Sequence, residues 1–203
     1  LNVDIVRALG EVLDVDIELR IDTWSRILTG LVTGDLDAIA GMYRSPERDR
    51  QFDFSEPFAV VEHTVFSRRD AAPVEGLEDL AGESILVMRG DIMHDVARDS
   101  PFLRNLVPTT TQAEALRLLS GGVGTYALVA RYPGLYWIDE LSLTNLFEQP
   151  FRTEPIDYCL AVREDESTLL SLLDEGLSEL RANGRYREIY ERRIGYLERR
   201  SIF

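Results

Sequence analysis

The chain has 203 residues, 45% of them apolar, enough to fill one or two compact lobes with cores of their own. Its 36 acidic residues against 22 basic ones give a net charge of −14, which argues against nucleic acid or an anionic membrane surface as a partner. No apolar run approaches the roughly 18 residues of a membrane span, and no basic-then-apolar start marks a signal peptide, so any targeting segment is expected outside this sequence.

Residues 1–14 place Val3, Val6, Leu9 and Leu13 on one helical stripe. Asp16–Ile21 alternates as a strand would, and Thr23-Trp24-Ser25 leads into a helix with Ile27, Leu28, Leu31 and Val32 inward. A turn at Gly34-Asp35 precedes a buried strand at Ala38–Gly41. Glu62–Arg69 is a further strand, 71–76 is linker-like, and Leu77–Leu80 is one short turn of helix. Ser84–Met88 reads as a strand, and Asp91 opens a helix with Ile92, Val96 and Met93 on one side. Thr111–Leu119 is an amphipathic helix, Tyr126–Ala130 a strand, Tyr132–Leu141 a helix and Leu146–Phe151 extended. Asp157–Arg163 alternates as a strand, and the helices Thr168–Ala182 and Tyr186–Arg193 are separated by the stop signal Asn183-Gly184.

Strands alternating with helices predict α/β architecture with mostly parallel sheets flanked by helices. Lobe boundaries are expected near Asp70 and Ile156: residues 1–69 with 157–203 form lobe 1, and 70–156 form lobe 2. The strands near 62–69 and 156–163 would run side by side as a hinge, and a cleft between lobes is where a small ligand binds.

Every basic residue is an Arg, so Arg content alone identifies nothing and position must decide. The lone Cys159 sits in the alternating run Ile156–Val162, where it packs as a small apolar residue. His63 and His94 are too far apart, and too poor in Cys or carboxylate neighbours, for a zinc site. No nucleophile motif surrounds Cys159, so no catalytic residue, metal or cofactor is expected.

The most informative segment is Gly34-Asp35-Leu36-Asp37-Ala38-Ile39-Ala40-Gly41-Met42-Tyr43-Arg44-Ser45-Pro46-Glu47-Arg48, followed by Phe52-Asp53-Phe54-Ser55-Glu56-Pro57-Phe58. A buried strand, a small-residue loop and an Arg at a helical turn can cradle a carboxylate, with backbone amides on one side and a planar guanidinium fork on the other. A surface Arg on a charged turn is the competing reading.

This stretch resembles the signature of the type 2 periplasmic solute-binding proteins of the polar amino acid family, family 3. The stretches GESILVMRGDIMHD, TQAEALRLLSGG and IDYCLAVREDESTLLSLLDEGLSELRANGRYREIYERRIG resemble later blocks of that family, in its order. The resemblance implies a two-lobed Venus-flytrap fold of which this sequence lacks the first strand. It implies ligand contacts from Trp24, stacked on the ligand, with a ring packed against the core as the competing reading; from Gly41, Met42 and Tyr43, through the backbone; and from Arg48, clamping a carboxylate. In the second lobe it implies contacts around Arg89, Asp91 and Ile92, with Asp91 also readable as a helix N-cap, and around Ala130 and Arg131. Ala130 stands where the family places an ammonium-binding Asp, and Ile92 lacks the family's hydroxyl. A carboxylate without an α-ammonium is therefore the expected small-molecule partner, and Asp91 and Glu56 are the nearby acids that an enzyme of this fold would use.

Three roles share the fold: the extracytoplasmic sensor domain of a receptor such as a histidine kinase or cyclase, the free solute-binding protein of an ABC importer, and an enzyme. The basic then apolar stretch Tyr196–Phe203 resembles the approach to a membrane segment and favours the sensor, tethered to a membrane and able to dimerise through the full-length protein.

Overall fold

The computed structural model describes residues 1–200, the side chain of Arg200 excepted; Ser201-Ile202-Phe203, the apolar end of the membrane-approach stretch, lie outside the described residues. In chain order the elements are α1 (Asn2–Leu13), α2 (Trp24–Thr33), β1 (Ala38–Tyr43), a 3-10 turn (Arg48–Arg50), β2 (Phe52–Phe54), β3 (Ala59–Val61) and β4 (His63–Arg68). After a second 3-10 turn (Leu77–Leu80) come β5 (Ser84–Met88), α3 (Ile92–Asp99), β6 (Asn105–Thr109), α4 (Gln112–Ser120), β7 (Tyr126–Ala130), α5 (Arg131–Glu140) and β8 (Leu146–Arg152). The chain closes with β9 (Ile156–Arg163), α6 (Ser167–Ala182), α7 (Arg185–Tyr190), a π-helical turn (Glu191–Gly195) and α8 (Tyr196–Arg200).

The chain divides into two compact units, one comprising Leu1–Val60 with the chain from Ile156 onward, the other Val61–Pro155. The first boundary falls earlier than the Asp70 read from sequence. The reason is that β4 is a buried inner strand of the second unit's sheet, paired with β7 on one side and β8 on the other. The strand β4 (His63–Arg68) pairs with β7 and β8 in the second unit's sheet, whereas β9 (Ile156–Arg163) pairs with β1, β2 and β3 in the first.

In the first unit, β1 and β2 both pair antiparallel with β9, and β3 pairs with it as well. The sheet is thus not parallel as expected; its central strand arrives from the second unit and runs against its neighbours. Ile5, Leu9, Phe58, Leu160, Leu173, Leu177 and Leu180 fill the core beneath α1 and α6. The buried stripe of α1 is Ile5, Val6, Ala8 and Leu9, with Leu13 packed against the same core as expected. Gly176 lets α6 approach that stripe, since a Cβ there would meet Leu9 at 2.6 Å. A smaller core gathers Leu31, Ile39, Met42, Phe52 and Ala161, while Val32, expected inside, is 61% exposed.

Asp16–Arg20 alternates in burial as its sequence does, but Ile21 is 84% exposed and the segment is no strand. Among the described residues it has no pairing partner, and a groove of about 450 Å³ separates it from β1, lined by Leu9, Leu13, Ile17, Leu19, Ile39 and Leu173 among others. Alternation alone does not make a strand when no ladder is on offer.

The second unit carries a five-stranded sheet in the order β6-β5-β7-β4-β8. β6, β5 and β7 are parallel and β4 is antiparallel to both its neighbours, so this sheet is mixed. Phe66, Leu86, Leu116, Leu119, Ala127 and Val129 form its core. Gly134 in α5 sits on Phe66, where a Cβ would be within 2.8 Å of the ring. In α3, Ile92, Met93 and Ala97 face inward and Val96 does not.

Candidate functional site

The signature segment divides into a structural part and a candidate site. Phe52 is buried in the smaller core. The Ser55 hydroxyl, 1% exposed, accepts from the Leu160 N–H at 3.0 Å and donates to the Glu56 carbonyl at 2.9 Å, while the Ser55 N–H donates to the Leu160 carbonyl. Phe58 packs on the Tyr158 ring with centroids 5.3 Å apart, and the Tyr186 hydroxyl donates to the Phe58 carbonyl. Phe52–Phe58 therefore anchors β9.

The residues before it behave differently. The β1–β9 ladder is irregular between Ile39 and Met42, and Gly41 within that irregularity has φ +141°. A Cβ at Gly41 would fall on the Tyr158 hydroxyl and within 2.6 Å of the Asn2 amide nitrogen, two groups that hydrogen-bond at 2.8 Å. Only glycine fits there. Met42, expected to line a ligand wall, turns its side chain into the smaller core at 1% exposure, opposite Cys159. Burial pushes the Cys159 thiol up to about 12, so it stays protonated and inert. The Tyr43 ring lies tilted against that of Tyr158, with centroids 4.8 Å apart.

Trp24, Tyr43 and Arg48 meet on the first unit. The Arg48 guanidinium lies 5.5 Å from the centre of the Trp24 ring and donates from Nη1 to the Tyr43 carbonyl at 3.1 Å. All three side chains are half-buried. The Trp24 ring packs against the smaller core and lies beneath the Arg48 guanidinium.

Within the second unit, Asp91 is the N-cap of α3. Its Oδ1 accepts from the Ile92 N–H at 2.8 Å and its Oδ2 from the Gln112 amide at 3.0 Å. At 4% exposure this carboxylate complements the helix N-terminus itself. Ile92 is buried at 6%, so its side chain serves the core, and Arg89 is exposed. Ala130 is fully buried in β7 opposite His63. Arg131 donates from Nε to Glu148 at 2.7 Å, and Glu148 also holds Arg152 at 2.8 Å. Arg152 in turn reaches the Thr64 hydroxyl at 2.7 Å. Arg131, at the start of α5, is thus a member of a half-buried ionic cluster with Glu148 and Arg152 of β8.

Tyr158, Asn2, Glu148 and Gln112 were not singled out from the sequence. Tyr158 was the detectable one, an aromatic residue on the face opposite Cys159 in an alternating strand. The others become partners only through the fold.

A family model described as bacterial extracellular solute-binding proteins, family 3, matches residues 1–196. The chain belongs to that family. This family 3 chain is 40% identical, with a TM-score of 0.92, to a solved histidine kinase sensor domain with similarity to periplasmic binding proteins, over 96% of this chain and 85% of that one. It is 29% identical over 167 residues to the ABC transporter glutamine-binding protein GlnH of Bacillus subtilis (strain 168), covering 81% of this chain and 60% of that protein. It is also 27% identical over 202 residues to membrane-bound lytic murein transglycosylase F of Ectopseudomonas mendocina (strain ymp), covering 91% of this chain and 40% of that protein. The chain thus spans less than two thirds of either relative. The family's description is extracellular solute binding rather than catalysis. Among the described residues no helix is long and apolar enough to cross a membrane.

Proposed function

We propose that this family 3 chain is the extracytoplasmic sensor domain of a membrane receptor, binding a small carboxylate-containing solute and signalling by lobe closure. The observation that carries the reading is the Arg48 guanidinium, held on the Trp24 ring and tied to the Tyr43 carbonyl. A fixed planar fork is suited to a carboxylate. The position where the resemblance calls for an ammonium partner is a buried alanine, Ala130, and Arg131 beside it is engaged with Glu148. The other acid on offer, Asp91, already accepts from Ile92 and Gln112. This set favours a carboxylate without an α-ammonium. The sensor role draws support from the 40% identity to a histidine kinase sensor domain over nearly the whole chain.

The second reading is the free solute-binding component of an ABC importer, favoured by the similarity to a glutamine-binding protein. The full gene product separates the two: a transmembrane helix and a kinase or cyclase module after Phe203 would support the sensor, and their absence would support the importer component. The site is tested with Arg48→Ala, which should cost roughly 2–5 kcal/mol of affinity for any carboxylate that binds, as truncation of a buried charge pair does. Unchanged affinity would remove Arg48 from the site.

A further inference from the structure

We propose that Trp24 is a positioning residue for Arg48: its indole face carries the guanidinium in place of the solute, so the site selects for a carboxylate group and gives no stacking advantage to a cationic or aromatic solute. The inference rests on the carboxylate reading above and deepens it.

Three observations converge. Trp24 opens α2 and packs against the core of Leu31, Ile39, Met42, Phe52 and Ala161, so its ring is anchored from behind. Its indole Nε1 is buried with no hydrogen-bond acceptor among the described residues. A ring that merely filled this space would do better as phenylalanine, which has no donor to strand. What tryptophan offers in exchange is the most electron-rich face of any side chain, and the Arg48 guanidinium lies 5.5 Å from its centre.

The second anchor of the guanidinium is the Tyr43 carbonyl, at 3.1 Å from Nη1, and the Arg48 N–H donates to the Ser45 hydroxyl at 3.3 Å. Arg48 is thereby held at its backbone N–H and at one guanidinium nitrogen, with the guanidinium carbon over the Trp24 ring. A fork fixed before the solute arrives loses less rotamer freedom on binding than a mobile one. The same arrangement occupies the ring face on which a cationic or aromatic solute would stack.

The test combines nuclear magnetic resonance of the Arg48 side chain with calorimetric titration of succinate, a carboxylate without an α-amine. In the wild type the Arg48 Hδ and Hε resonances should lie upfield through the ring current of Trp24. Trp24→Leu should return them toward ordinary arginine positions and weaken succinate about three- to thirty-fold, the range a cation–π contact spans. Trp24→Phe keeps a ring in the core and should retain part of the upfield shift, weakening succinate only about two- to threefold. Because it preserves the packing, Trp24→Phe carries the test if Trp24→Leu unfolds. Unshifted Arg48 resonances in the wild type would overturn the proposal. So would arginine or phenylalanine binding that quenches Trp24 fluorescence and is lost in Trp24→Phe. If wild-type protein ignores succinate and other simple carboxylates, the carboxylate reading fails, while the Arg48 resonances still decide whether Trp24 positions the guanidinium.

Discussion

His63 stands opposite Ala130 in the antiparallel ladder of β4 and β7, and neither residue has any exposed surface. The imidazole has no solvent to stabilise its charge, and burial pushes its pKa down to about 3. An acid in place of Ala130 would lie in the same dry layer, which gives a structural reason for a small apolar residue at that position.

A pH dependence follows. Unfolded His63 titrates near its ordinary value of 6.5, whereas folded His63 stays neutral down to about 3. Below pH 6.5 the unfolded chain takes up a proton that the folded chain refuses. Stability from this residue is therefore fully present above pH 6.5 and is lost as pH falls toward 3, with a slope of up to about 1.4 kcal/mol per pH unit. Urea denaturation at pH 7 and pH 5 should show this loss, and His63→Leu should flatten it.

Replacing Gly41 should be disruptive. A Cβ there meets the Tyr158 hydroxyl and the Asn2 amide, and φ is +141°. Gly41→Ala should destabilise the first unit by about 2 kcal/mol or more, because strain and the loss of the Asn2–Tyr158 hydrogen bond add. Chemical denaturation measures it, and Asn2→Ala combined with Gly41→Ala should recover part of the cost.

Asp91 should behave as a cap before anything else. Asp91→Ala removes the acceptor for the Ile92 N–H and strands the Gln112 amide, so it should cost about 1–2 kcal/mol. Asp91→Asn, which keeps one acceptor oxygen, should cost less. Thermal melts of the two variants distinguish a capping role from a pure charge effect.

Most of the fold was legible because short-range patterns decide it. Ser84–Met88 and Tyr126–Ala130 are strands with the bounds read from sequence, since continuous apolar runs bracketed by Gly and polar residues leave few alternatives. Asp16–Ile21 misled, because its alternation is real but its ladder is not present. Val32 and Val96 misled for a related reason: helical period gives a stripe, yet which edge of the stripe touches the sheet depends on the neighbouring element. At the candidate site, Arg48 was singled out from the segment itself and Trp24 and Tyr43 through the family resemblance, and the three lie side by side in the first unit. The inward turn of Met42 was not readable, because the irregularity at Gly41 shifts which residues face the core.

The unpaired segment yields a further expectation. Among the described residues Asp16–Ile21 donates no backbone hydrogen bond to a neighbouring strand, whereas β1 is laddered to β9. In hydrogen exchange on this chain the amides of Asp16–Ile21 should exchange at close to unprotected rates, and those of Ile39 and Met42 that ladder to β9 should be slower by orders of magnitude. Equal protection would mean that the segment finds a partner in solution.

Calorimetry with the complete domain tests the central claim most directly, set against the twenty common amino acids on one side and carboxylates lacking an α-amine on the other. On the proposed reading, the buried Ala130, Arg131 on Glu148 and Asp91 capping α3 do not serve an α-ammonium as the family's Asp would. An ammonium that leaves water without gaining an acidic partner pays a large desolvation cost. The account predicts heat only from the carboxylates without an amine, abolished in Arg48→Ala. Micromolar or tighter binding of any common amino acid would contradict it.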